Sequence, residues 1–187
     1  MQTIFSQIII NIFLFLLIVE IILSILDRVI VNILKKEKSR SIQAIFPELS
    51  KEELKFRRES LASYYKINSN NSFRIKIGYF FMIVLLIAIV ATTICAFSDN
   101  YSGICFGLAA LFISMGMISL SAPTYQNAQA FWKKYLIENP DNPLKFVLLP
   151  DKKDLKYVKF STINSYFRIF CGLYSLLVAI MLFQQNL

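Results

Sequence analysis

The chain has 187 residues, of which 56% are hydrophobic, with a net charge of +8 and a mean hydropathy of +0.56. Histidine is absent, which removes the commonest general base and metal ligand, and Cys95, Cys105 and Cys171 lie in apolar segments with no CxxC spacing. No metal or cofactor is expected, and the basic balance has a membrane explanation that needs no direct nucleic-acid binding.

Four apolar stretches divide the chain, and all twenty Lys and Arg residues lie to one side of them. The bases fall in two polar loops, roughly 35–76 and 123–162, with Arg28 and Arg168 at the adjoining helix ends. The N-terminal tip, the turn at Phe97–Ser102 and the C-terminal tail hold none. Short cytoplasmic segments accumulate Lys and Arg, and translocated ones do not. The expected fold class is an all-α integral membrane protein with four transmembrane helices, a small helical cytoplasmic layer and both termini outside. The abundance of Ile, Asn and Lys hints at an AT-rich bacterial genome, and hence at an inner membrane.

The first segment, 1–34, is apolar from about Ile4 to Leu34. At ~1.5 Å per residue it reaches roughly 46 Å, against a hydrocarbon core of ~30 Å. The helix is expected to leave the membrane near Asp27–Arg28 and continue, or to tilt. Met1-Gln-Thr lacks a basic n-region and the run is too long for a cleavable signal, so it reads as a retained anchor. Gln7 and Asn11 share a face near the outer leaflet, where they can bond across helices or line a vestibule. Glu20 is an acid well inside the apolar run, with Ser24 and Asp27 on its face and Arg28 nearby. Ionisable residues inside a membrane are functional candidates because burying a charge costs several kcal/mol. In the structural alternative, Glu20 reaches water or Arg28.

The loop at 35–76 contains Ser50-Lys-Glu-Glu53, a capping box that predicts an amphipathic helix over about 51–66. Lys55, Arg57 and Arg58 make it a candidate docking surface for a protein partner or anionic lipid. A tight transmembrane hairpin follows over 77–122. Its second arm presents Gly103, Gly107, Ala110 and Ser114 at helical steps, and Gly172 lies on the last span; small residues permit close helix packing, within one protomer or between copies. Cys95 and Cys105 lie at similar depth on the two arms, either free or bridged.

The loop at 123–162 predicts a helix over about 125–138, with Phe131, Trp132 and Tyr135 within a turn and Lys133 and Lys134 between them. Such a stripe can lie on an anionic surface or bury itself against the first loop. Asp151-Lys152-Lys153-Asp154 reads as the cap of a helix leading into the last span, 163–187, with a hairpin over 146–160 as the alternative. Lys152 and Lys153 join the docking candidates. Arg168, near the inner end of that span, is expected to snorkel toward the headgroups.

No nucleophile–base pair, phosphate loop or paired-carboxylate motif is present, so no enzyme is expected. The leading expectation is a non-catalytic membrane subunit that forms homo-oligomers and docks or regulates a cytoplasmic protein as sensor or anchor. A second is a gated pore-forming or depolarising effector, since small four-span proteins occur beside soluble partners in bacterial anti-phage systems. A third is a small proton-coupled transporter using Glu20. That acid resembles the first-span glutamate of the small four-span multidrug transporters, but the loops here are much longer and the aromatic motif around the acid is missing.

Overall fold

In a computed structural model of the protein, residues 2–69, 72–148 and 152–185 are described. They form six helices: α1 (Gln2–Ile45), α2 (Lys51–Asn68), α3 (Ser72–Phe97), α4 (Tyr101–Ser121), α5 (Tyr125–Glu138) and α6 (Lys152–Gln185). No strand occurs among the described residues. Four helices are long and apolar enough to cross a membrane, as expected of a multi-pass membrane protein.

Helix α1 does not stop where its apolar run ends. No Pro or Gly interrupts the chain before Pro47, so the good helix formers Lys35–Ala44 extend it to Ile45. α2 begins at the anticipated box: Ser50 Oγ accepts from the Glu53 amide at 3.2 Å, and Glu53 Oε2 accepts from the Ser50 amide at 2.7 Å. It runs two residues beyond the predicted end. Thr124 caps α5, whose limits match the prediction. α6 is one helix from Lys152, in place of the hairpin alternative; the predicted cap at Asp151 lies outside the described residues.

The chain divides into two compact units: residues 1–27, 75–122 and 159–187 in one, and 28–74 with 123–158 in the other. In the first, neighbouring helices meet in reverse register. Tyr174 donates to the Ile9 carbonyl, and Arg168 meets Glu20, so α1 and α6 are antiparallel. The Ser175 hydroxyl donates to the Cys105 carbonyl while Gly116 abuts Ser165, so α4 and α6 are antiparallel as well. Gly103 against Cys95 and Gly107 against Thr92 give the same for α3 and α4.

Small residues make these approaches possible, and α4 uses them on two faces. Gly103 and Gly107 face α3, whereas Gly116 faces α6; a Cβ added at Gly116 would stand 2.7 Å from the Ser165 carbonyl oxygen. Gly172 is the counterpart on α6, where a Cβ would lie 2.9 Å from the Ala109 carbonyl oxygen. Ser114 is buried and Ala110 half-buried on the same helix as Gly116. Gly103, Gly107 and Gly172 thus pack within the protomer. Cys95, Cys105 and Cys171 are free thiols.

The second unit comprises Arg28–Ile45 of α1, α2, α5, the loop after α5 and the first turns of α6. Within it, α1 and α6 are joined by Lys153–Glu37 at 2.8 Å and Lys38–Asp154 at 2.7 Å. Its centre is aromatic: Tyr64 meets Tyr135 edge-on at 5.1 Å, Tyr65 meets Phe131 at 4.9 Å, and Trp132 stacks on Phe146 at 4.3 Å and 10°. Each such pair adds about 0.5–1.5 kcal/mol beyond its area burial.

Two outcomes are expected. Gly116→Leu and Gly172→Leu place bulk against backbone and should cost about 1–3 kcal/mol or more in denaturant unfolding in mild detergent, while Gly78→Ala, which meets only the movable Ser121 hydroxyl, should cost little. Hydrogen bonds from the Ser50 amide and then its hydroxyl hold the Glu53 carboxyl below its ordinary 4.5. That stabilisation is present above 4.5 and lost as pH falls through the depressed value, so acid-induced loss of α2 helicity should weaken in Glu53→Gln.

Candidate functional site

The first unit holds a buried ion pair between α1 and α6. Arg168 Nε donates to Glu20 Oε1 at 2.8 Å, Arg168 Nη2 donates to Ser24 Oγ at 3.1 Å, and Ser24 Oγ donates to Glu20 Oε1 at 2.8 Å. Asp27 Oδ2 lies 4.0 Å from Arg168 Nη2. Glu20 and Arg168 are 2% and 8% exposed, so most of their mutual attraction escapes screening by water. The expected snorkelling of Arg168 is not what occurs: its guanidinium turns into the helix stack, because Glu20, Ser24 and Asp27 fall on one face of α1 opposite it. Glu20 accordingly meets Arg168 rather than Arg28.

Sequence reasoning missed Asn164. It lies one turn before Arg168 on α6 and is buried, with neither amide atom hydrogen-bonded; Glu20 Oε2 and Ser114 Oγ are likewise buried without a partner. Polar residues are therefore concentrated toward the end of the unit marked by Asp27. Toward the α3–α4 tip the interior is built from Phe13, Cys105, Val178 and Ala179 with Ile9, Leu17 and Leu108 around them, and Ser102 and Ser175 are buried there as well. Gln7 and Asn11 are exposed on the outside of α1, in line with the exposed Leu14, Ile18, Ile21 and Ile25.

In the second unit the candidate docking residues separate by environment. Lys55, Arg58, Lys133, Lys134 and Lys153 are exposed, with Lys134 near Glu138 and Lys153 held by Glu37. The side chain of Lys152 lies outside the described residues. Trp132 is not an open lipid anchor: it packs between Tyr64, Tyr65, Tyr135 and Phe146. Arg57 is half-buried, and its Nε and Nη2 donate to the Lys145 carbonyl at 2.9 and 2.6 Å. The guanidinium lies 5.7 Å from the Phe46 ring centroid. Burial pushes its pKa down, the mark of a cation short of solvation.

The loop after α5 makes these contacts possible. Asn142 and Lys145 adopt left-handed backbone angles, with φ of 43° and 49°. The Asn142 side chain accepts from the Phe146 amide and donates to its carbonyl, both at 2.8 Å, and the Tyr135 hydroxyl accepts from the Leu144 amide. That clasp sets Phe146 on Trp132 and aims the Lys145 carbonyl at Arg57. No group of metal-ligating side chains occurs among the described residues.

Removing one partner of a buried pair leaves the other uncompensated. Glu20→Leu and Arg168→Leu should each cost about 3–5 kcal/mol, whereas the double variant should recover most of that destabilisation. A double-mutant cycle by denaturant unfolding in detergent reads this directly; simple additivity would mean the two side chains act independently. Comparison of the chain with protein-family models, with curated proteins and with solved structures gives no match.

Proposed function

We propose that the chain is a non-catalytic subunit of a bacterial inner membrane, with both termini outside and both long loops in the cytoplasm. It associates with copies of itself and presents its loop unit to a soluble protein that it anchors and regulates. The observation behind this is the partition of charge. Every basic residue except Lys76, Lys159 and Arg168 belongs to the second unit, and Arg168 is neutralised by Glu20. Positively charged segments stay on the cytoplasmic side.

Self-association fits the outside of α1. The glycine faces of α4 and α6 are occupied within the protomer, while Gln7 and Asn11 are exposed amides on an otherwise apolar stripe. An amide both donates and accepts, so the same helix of a second copy satisfies it, and such hydrogen bonds in membranes are worth ~0.6–1.7 kcal/mol. Glu20 is bound to Arg168 and Ser24, which favours a structural role over proton coupling.

In a thiol-free background, Ser98→Cys should react with an impermeant maleimide in intact spheroplasts, and Lys134→Cys should not; the opposite pattern reverses the orientation. Gln7→Leu with Asn11→Leu should weaken self-association in nanodiscs about 3–16-fold for each amide hydrogen bond removed. Recovery of no soluble protein in mild detergent, even at low salt, would rule out the docking role.

A further inference from the structure

The second unit contains two cavities with a common wall. One, of about 470 Å3, lies between Lys35–Gln43 of α1 and Lys51–Leu61 of α2. The other, of about 320 Å3, is bounded by α1, α2, α5 and the loop at Phe146–Leu148. Lys38, Ile42, Arg57 and Leu61 line both. Each volume falls in the ~300–1,000 Å3 range of small-molecule sites.

Their chemistries differ. No acid lines the larger cavity, and Lys35, Lys51, Lys55 and Arg58 face it without a salt bridge among the described residues. Its apolar floor is Ile42, Leu54 and Leu61. Arg57, in the common wall, donates to a neutral carbonyl and has no salt-bridge partner among the described residues. Lys38 is already neutralised by Asp154. The smaller cavity is lined by Tyr125, Trp132 and Phe146 together with Val147 and Leu148, and its one acid, Asp154, is held by Lys38. A cationic chamber thus opens beside an aromatic one.

Dimensions narrow the occupant. The helix segments bounding the larger cavity are ~12 and ~15 Å long at 1.5 Å per residue. A lipid headgroup fits less well than a soluble anion. Along α1 the lining begins seven residues beyond Arg28, or ~10 Å, and ends ~22 Å beyond it, while each polar interfacial layer of a bilayer is only ~5–8 Å deep. This step rests on the reading that α1 crosses the membrane and leaves it near Arg28.

We propose that the paired cavities bind a water-soluble organic phosphate of the nucleotide class, its phosphates among Lys35, Lys51, Lys55, Arg57 and Arg58 and its ring in the chamber lined by Trp132. Side-chain cations hold the phosphates here without a glycine-rich loop, through charge-assisted hydrogen bonds. Ligand occupancy ties α1, α2 and α5 together, which makes the unit that faces the soluble partner responsive to a small molecule.

Trp132 is the only tryptophan of the chain and serves as the native reporter. Full-length protein in neutral detergent is titrated with ATP, with excitation at the red edge of the tryptophan band where ATP does not absorb. Saturable change in emission and a raised thermal midpoint are expected, with inorganic phosphate producing neither at equal concentration. Lys51→Gln/Lys55→Gln/Arg58→Gln should weaken ATP binding about 30-fold while keeping the unliganded midpoint, and Lys133→Gln/Lys134→Gln, outside both cavities, should bind as the parent does. No response to ATP, an equal response in the triple variant, or a response to phosphatidylglycerol nanodiscs in place of ATP each overturns the proposal. Carbonate extraction of the same membranes tests the membrane reading separately, since a protein that washes off has lost that reading whatever ATP does.

Discussion

A guanidinium inside a stack of apolar helices is tolerable only when something charged meets it, and here Glu20 does so at 2.8 Å while the Ser24 hydroxyl accepts a second hydrogen bond at 3.1 Å. The geometry fixes both the rotation and the register of α1 against α6, because the residues next to Glu20 on α1 point about 100° away from it and cannot take its place. Both helices also continue into the second unit. Within that unit they are joined again, by Glu37–Lys153 and Lys38–Asp154. The more exposed Glu37–Lys153 pair is worth at most about 1 kcal/mol.

The second unit is organised by a different force. Its surface is basic but its centre is a cluster of rings, so cohesion comes from stacked aromatic area while the charges remain outside. Arg57 is the exception, drawn inward by a carbonyl that a left-handed Lys145 directs toward it. A neutral acceptor satisfies the geometry of the guanidinium without cancelling its charge. That charge stands in the wall that the two cavities share.

Much of the helix layout was legible because it depends on local patterns. Hydropathy marked four long apolar helices, the Ser50–Glu53 box marked the start of α2, and the turn from Asn139 to Pro143 marked the end of α5. What sequence could not supply was which faces meet. Arg168 and Glu20 are separated by 148 positions, and nothing in either segment says that the arginine turns inward. Trp132 suits a membrane surface and a protein interior equally well by its pattern; only the loop clasped by Asn142 decides between them. Gly116 escaped notice because a single stripe was sought on α4, whereas a helix between two neighbours needs small residues on two faces.

The order in which the chain is made adds a consequence to the buried pair. At ~5–20 residues per second, roughly 7–30 s separate the synthesis of Glu20 from that of Arg168. During that interval α1 has its carboxylate but not its counter-charge, and the long-range pairing cannot nucleate assembly. The α3–α4 hairpin, closed over a three-residue tip by Asn100, can form on its own in the meantime. Helix α6 therefore completes α1, and a ribosome that stalls before residue 168 leaves a product in which Glu20 is unsatisfied.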